Sequence, residues 1–216
     1  MFVANRMTKN PIVVAPNDKV DEAAAIMKEH GFRRLPVVDQ GQVVGFFSDR
    51  DLMKVMPSPA TTLSKYEVNS LLAKMTVKEI MTRNVITVSA DAPIEEAALI
   101  MYKQKIGGMP VLSSTNTLVG IITETDIFKA FVDIMILTEP STRITISGED
   151  AVGVIHGVTT VFTDMGINIM SLVSAKKSSE AGKYDLVVRA QIDDVEAVKA
   201  KLAEKGYNVI SAVKIG

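Results

Sequence analysis

The chain has 216 residues, 24 basic against 25 acidic side chains, a formal net charge of −1 and no cysteine. A near-neutral balance gives no global field for nucleic acid or anionic lipid, and the absence of cysteine excludes disulfides and thiolate metal sites. Two histidines, His30 and His156, offer no converging set for a metal or a catalytic triad.

The opening MFVANRMTKNP is too short and too polar for a secretory segment. No apolar run reaches the roughly 18 residues that a membrane span needs. Hydrophobic residues make up 47% of the chain, enough for proper cores. The expectation is a cytoplasmic α/β protein that binds neither nucleic acid nor membrane.

In chain order, Ile12–Val14 reads as a short apolar strand leading into a helix, with Asn17 as a natural N-cap. Ala23, Ile26 and Met27 give that helix its apolar face. Two buried strands follow, LPVVD and VVGFFS, joined by a tight turn at Gln40–Gly41, and a second helix begins near Asp49. Residues 57–70, PSPATTLSKYEVNS, begin as a loop with two prolines and turn helical after Ser64.

The same order then returns. Shifted by 74 positions, MTKNPIVVAP meets MTRNVITVSA, VDEAAAIM meets IEEAALIM, and LPVV meets MPVL. About a dozen of roughly thirty positions are identical, well above chance. Ile86–Val88, an N-cap at Asp91, and a face of Ala97, Ile100 and Met101 repeat the first half's grammar. After one inserted residue, GFFSDRDL (45–52) meets GIITETDI (120–127). Each copy reads β-α-β-β-α and is too small to be a comfortable domain alone, so the two are expected to share a core.

The phrase Gly-x-x-[Ser/Thr]-x-x-Asp admits two readings. Ser48 with Asp51, and Thr123 with Asp126, have the spacing of a helix capping box. The same first turn has unpaired N–H groups and a partial positive charge, and so can hold phosphate. An ionised carboxylate only accepts, and can take both hydroxyls of a ribose. Hydroxyl and carboxylate three apart therefore also suit a ribose-phosphate.

This phrase, the [Leu/Met]-Pro-Val-[Val/Leu] strand and the opening Met-Thr-x-Asn together resemble the cystathionine-β-synthase (CBS) domain, and two tandem copies resemble a CBS pair, or Bateman module, over about residues 1–137. The resemblance implies a pseudo-symmetric pair with two clefts for adenosine compounds: AMP, ADP, ATP or S-adenosylmethionine. It implies that Asp51 with Ser48, and Asp126 with Thr123, face ribose and phosphate. It further implies that Ile12, Val13, Val37, Ile86, Thr87 and Val111 line the base; their plainer reading is core.

The copies differ in charge. Arg33, Arg34 and Arg50 in the first stand where the second has Gly107, Gly108 and Thr125. Arginine can grip phosphate bidentately, so one phosphate-favouring cleft and one weaker cleft are expected. Sequence does not assign the arginines to either cleft, and a solvated surface pair is the other reading of Arg33 and Arg34.

Thr-Glu-Pro-Ser (138–141) ends the helical pattern and marks a boundary. Three segments result: a first repeat with linker (1–70), a second repeat (71–138) and a C-terminal domain (141–216). In the last, RITIS is a strand, and Val154 to Met165 recur at helical spacing before Gly166. INIMSLVSAK and YDLVVRAQI are strands joined through Ser-Ser-Glu-Ala-Gly, VEAVKAKLAEKG is a helix, and NVISAVKI is a strand. The order βαββαβ is ferredoxin-like.

Asp150, Gly153 and Asn168 in DAVGVI and GINI resemble the ACT domain, a regulatory module that often binds amino acids where two copies pair. Val152 stands where that family usually has proline. Packing for Gly153, turn-capping for Asn168 and a domain that only dimerises form the alternative reading.

The whole chain resembles the acetoin-utilisation AcuB family. The resemblance implies a homodimeric, non-enzymatic sensor that binds adenine nucleotide in the CBS clefts, takes an amino acid or similar effector at the ACT pair, and controls an unknown partner protein. No nucleophile with a base, no metal set and no Walker-type loop is legible. An adaptor with empty clefts and a nucleotide-using enzyme are the alternatives.

Overall fold

The computed structural model describes residues 1–56, 64–176 and 182–215. Met1–Phe128 form one compact unit and Lys129–Gly216 another.

In the first unit, β1 (Thr8–Lys9) precedes α1 (Val20–His30), the hairpin β2 (Arg34–Asp39) and β3 (Gln42–Ser48), and α2 (Asp49–Val55). Gln40 and Gly41 both take positive φ, 47° and 81°, which suits a two-residue hairpin turn. Helices α3 (Lys65–Leu72) and α4 (Val77–Ile80) lead into the second repeat. The loop portion of the linker, residues 57–63, lies outside the described residues. From Ser64 onward the helix is as expected, with Glu67 accepting from the Ser64 backbone N–H at 2.7 Å. The second repeat continues with β4 (Val88–Ser89), α5 (Ile94–Gln104), β5 (Gly108–Leu112), β6 (Leu118–Thr123) and α6 (Glu124–Ile134).

The expected apolar faces are right. Ala23, Met27, Ala97 and Met101 are buried, and Ile26 and Ile100 half-buried. Two details differ. The caps of α1 and α5 are Lys19 and Pro93, not Asn17 and Asp91. Asn17 Oδ1 instead accepts from Lys78 Nζ, at 2.9 Å. The opening strand of each repeat also shrinks. Val14 makes a single parallel bridge to Val37, while Ile12 and Val13 are exposed. The strand pairing of the opening segment lies upstream instead, at Thr8–Lys9 against β6.

That upstream pairing is exchanged between the repeats. Thr8 of the first repeat pairs with Ile121 of the second. Thr82, its counterpart, bridges Phe46 of the first. Close crossing explains the glycine that opens the repeated phrase. A Cβ on Gly45 would run into the Met81 sulfur, and one on Gly120 would lie 2.5 Å from the Met7 sulfur. Each repeat therefore completes the other. Leu72 and Val77, outside the first repeat, pack into its core with Val20, Leu35, Val37 and Phe47.

The second unit contains β7 (Ser141–Glu149), α7 (Val154–Asp164), β8 (Ile169–Lys176), β9 (Lys183–Ala190), α8 (Val195–Glu204) and β10 (Asn208–Ile215). The sheet order β10-β7-β9-β8 is antiparallel throughout, the ferredoxin-like arrangement read from sequence. Gly166, at φ 68°, follows α7 as expected. The β8–β9 connection falls mostly on undescribed residues. Ile144, Ile146, Leu186 and Val188 face a core completed by Val158, Phe162, Val198 and Leu202.

Period-two alternation puts Thr145 and Arg189 on the opposite face, yet they are only 4% and 2% exposed. The chain after α6 accounts for this. Arg189 Nη2 donates to Ser141 Oγ at 2.6 Å and to the carbonyls of Ile136 and Glu139 at 3.4 Å. Ser171 Oγ donates to the Met135 carbonyl at 3.4 Å.

Candidate functional site

Exchange of strands brings the start of the first repeat against the phrase of the second. The result is a cavity of about 440 Å³. One wall is Thr8, Asn10, Pro11 and Ile12; another is Phe32, Arg33, Arg34 and Leu35; the third is Ile121 with Thr123, Glu124 and Thr125 at the first turn of α6. The arginines of the first repeat therefore share a cleft with the Thr123–Asp126 phrase of the second.

Arg34 is half-buried. Burial pulls its guanidinium below the ordinary arginine value, Asp49 and Glu124 pull it back up, and Arg33 and Arg50 push it down again. The guanidinium makes no side-chain hydrogen bond or contact-distance ion pair with a described residue, but Glu124 is near it: a Cβ on Gly107 would lie 3.0 Å from Glu124 Oε2. The guanidinium lies over the glycines that replace it in the other repeat. A Cβ on Gly107 would sit 2.8 Å from Nη2, and one on Gly108 2.6 Å from Nη1 and 3.0 Å from the Ile122 carbonyl oxygen. The absence of side chains at Gly107 and Gly108 leaves room for the Arg34 guanidinium in this position.

The two copies of the phrase are both capping boxes. Thr123 N–H and Oγ1 donate to Asp126 Oδ2 at 2.8 and 2.7 Å, and Asp126 N–H donates back to Thr123 Oγ1 at 3.4 Å. Ser48 N–H and Oγ donate to Asp51 Oδ2 at 3.1 and 2.6 Å. They differ in the remaining oxygen. Asp51 Oδ1 takes Lys54 Nζ at 2.9 Å and Thr82 Oγ1 at 3.5 Å, and Asp51 is 3% exposed. Asp126 is half-buried, and its Oδ1 has no partner among the described residues. It lies one residue beyond the cavity-lining Thr125.

Of the residues singled out from sequence, Ile12, Arg33, Arg34 and Thr123 line the cavity directly. Val37 and Val111 are fully buried core. Ser48 and Asp51 sit at the start of α2, Arg50 is exposed there, and Ile86 and Thr87 are half-buried ahead of β4. Thr8, Asn10, Phe32 and Glu124 line the cavity without having been singled out. Phe32 stacks on His30 with ring centroids 5.2 Å apart. The repeated Met-Thr-x-Asn carried the signal for Thr8 and Asn10, but only the exchanged pairing shows which cleft they serve.

In the second unit, Asp150 and Gly153 follow the C-terminal end of β7, with Gly153 at φ 91° capping α7. Asn168 precedes β8, whose first residue pairs with Ala190 opposite Thr142. The three residues thus sit at opposite ends of the sheet, roughly 23 Å apart at the strand rise. Asn168 lines a separate cavity of about 570 Å³ with Glu139, Gln191, Asp193 and Asp194.

Comparison with known proteins agrees with this geometry. The CBS domain model matches residues 3–58 and 77–133, more than half of the chain. The chain belongs to the CBS-domain family. Its C-terminal part matches the ACT domain over residues 142–206. The CBS pair of protein MJ0100, solved with 5-methylthioadenosine and S-adenosyl-L-methionine, is 35% identical at a TM-score of 0.50, covering 61% of this chain and 99% of that one. CBSX2, solved with AMP, is 29% identical at 0.51, covering 62% and 97%. A Vibrio cholerae protein described as an acetoin utilization protein (AcuB) is 29% identical at 0.53, covering 64% and 95%.

Among curated relatives, the L-aspartate semialdehyde sulfurtransferase of Methanocaldococcus jannaschii is 35% identical over 131 residues, 60% of this chain but 23% of that enzyme. The chain spans less than half of the first curated relatives it matches. Among the described residues of this CBS-domain protein, no helix is long and apolar enough to cross a membrane, and no cluster of His, Asp or Glu could hold a metal.

Proposed function

We propose that this CBS-domain protein is a non-enzymatic sensor that binds one phosphorylated adenine nucleotide per chain, in the cleft of Thr123 and Asp126. The observation that carries this is Arg34: a half-buried guanidinium at the cavity wall, acted on by Asp49 and Glu124 but with no side-chain hydrogen bond to a described residue. A partly desolvated cation without a hydrogen-bonded acceptor is costly, and a phosphate supplies one. Asp126 Oδ1 takes ribose hydroxyls, the first turn of α6 and Arg33 support the phosphate, and Ile12 and Leu35 contact the base. AMP, ADP and ATP all satisfy this chemistry. S-adenosylmethionine, as in the MJ0100 pair, carries a cation and fits Arg34 less well.

The cleft of Ser48 and Asp51 is the silent one, because Asp51 is buried and the second repeat has Gly107 and Gly108 where the first has Arg33 and Arg34. The protein works as a homodimer. The sheet order leaves β8 and β10 as edges, which need cover. Pairing of ACT units would bring Asp150 and Gly153 of one copy toward Asn168 of another, and an amino acid or similar effector binds there. An AcuB-like partner protein reads the result.

Calorimetry of the full chain with AMP, ADP, ATP, S-adenosylmethionine and adenosine tests this. The expected result is one site per chain, tighter for the phosphorylated ligands than for adenosine or S-adenosylmethionine. Absence of heat with every ligand, or loss of ATP to product on long incubation, would overturn it.

A further inference from the structure

We infer, on the reading that a phosphorylated adenine nucleotide occupies the Thr123–Asp126 cleft, that Glu124 makes this cleft selective for the nucleoside monophosphate over the longer polyphosphates. Glu124 is the first residue of α6 and lines the cavity with Thr123 and Arg34. Its backbone N–H donates to the Gly107 carbonyl at 3.2 Å, so the start of the helix is pinned on the glycine that the arginine lies against. Around the place where a Gly107 Cβ would stand, Arg34 Nη2 lies at 2.8 Å, Arg34 Nη1 at 3.0 Å and Glu124 Oε2 at 3.0 Å. Guanidinium and carboxylate thus share one corner of the cleft without a contact-distance ion pair between them.

Charge then sets the length of phosphate chain that fits. Arg33 and Arg34 are the cations among the lining residues, and Glu124 is the carboxylate. Asp49, the counterpart of Glu124 in the first repeat, acts on Arg34 as well, and is held in the same way, with its N–H on the Arg33 carbonyl at 2.9 Å. A monophosphate carries about two negative charges at neutral pH, and the two arginines match it. Each further phosphoryl group adds negative charge that meets no third lining cation and lies beside Glu124. That carboxylate is exposed, so solvent and salt weaken its repulsion without removing it. For an added charge within about 8 Å the discrimination is roughly three- to tenfold.

Calorimetric titrations of the full chain with AMP, ADP and ATP test this on wild type, Glu124→Gln and Glu124→Asp, with a chelator present so that each nucleotide keeps its full charge. Wild type should bind AMP roughly tenfold or more tighter than ATP, with ADP between them. Glu124→Gln should tighten ATP more than AMP and shrink that ratio by roughly threefold or more. Glu124→Asp keeps the charge and should preserve the ratio. Raising the ionic strength should narrow the ratio in wild type, because exposed charges are screened.

Equal affinity for AMP and ATP in wild type, or tighter ATP, would overturn the selectivity and leave the nucleotide reading standing. A preference for AMP that survives in Glu124→Gln, at low and high ionic strength alike, would overturn the assignment to Glu124 and make the preference one of size. Uniform weakening of all three nucleotides in Glu124→Gln would reduce the residue to support of the helix start and overturn the assignment as well. No heat with any nucleotide would overturn the nucleotide reading and the selectivity with it.

Discussion

Asp51 and Asp126 occupy equivalent places in the two repeats, make the same capping box, and end in different states. Asp51 is sealed at 3% exposure with both oxygens engaged. Asp126 keeps one oxygen unpartnered among the described residues, beside a cavity that holds a half-buried arginine. A motif shared by two halves of a chain thus does structural work in both and has room for a ligand in one. What separates them is the neighbourhood: Lys54 at one carboxylate, and Arg33 and Arg34 delivered to the other by the crossing of the strands.

The contrast is sharpest in ligand affinity. Arg34→Ala should weaken AMP and ATP by roughly ten- to hundredfold, the worth of a charge-assisted hydrogen bond, and leave adenosine unchanged in parallel titrations. Asp126→Ala should weaken adenosine as well, by a similar factor, because the ribose is common to all three. If Arg34→Ala weakens adenosine equally, its role is packing rather than phosphate binding.

Stability should show the reverse order. Asp51→Ala strands the Ser48 N–H and hydroxyl and should cost about 2–3 kcal/mol, read as a fall in the denaturation midpoint, with nucleotide affinity of the folded chain unchanged. Asp126→Ala removes only a cap and should cost about 1 kcal/mol. Equal losses in the two variants would erase the distinction between them.

The phrase glycines give a smaller contrast. A Cβ on Gly120 meets the Thr8 carbonyl oxygen at 2.9 Å in addition to the Met7 side chain, whereas on Gly45 the nearest atoms all belong to the flexible Met81. Gly120→Ala should therefore destabilise more than Gly45→Ala, within the roughly 1–3 kcal/mol typical of overpacking. Thermal melts of both variants check it.

The smallest effect belongs to Lys54→Ala. The lysine side chain is 70% exposed, and such pairs contribute under about 1 kcal/mol. Removing it should leave nucleotide stoichiometry at one per chain, since no arginine pair faces Asp51 in the way that Arg33 and Arg34 face the other cleft. A second calorimetric site in this variant would show that Lys54 alone keeps that cleft silent.

Much of this was legible beforehand. Periodicity located the helices, because apolar faces at Ala23–Met27 and Ala97–Met101 follow from a 3.6-residue turn. The repeat located the phrase, and the phrase the carboxylates. The caps at Asn17 and Asp91 were misplaced because local preference does not know that Lys19 and Pro93 meet the chain from the other repeat, at Thr76 and Phe2. The cleft to which Arg33 and Arg34 belong depends on Thr8 pairing with Ile121, a contact 113 positions away. Arg189 was invisible for a related reason. An arginine on a strand, opposite in face to the core residues Leu186 and Val188, reads as solvent-facing, and only the chain returning over that face buries it.

The most direct test of the central claim is a crystal structure of the full chain grown with AMP. The account predicts nucleotide density in the Thr123–Asp126 cleft alone, with its phosphate on Arg34 and its ribose on Asp126. Nucleotide bound at Asp51 with the Arg34 cleft vacant would contradict it.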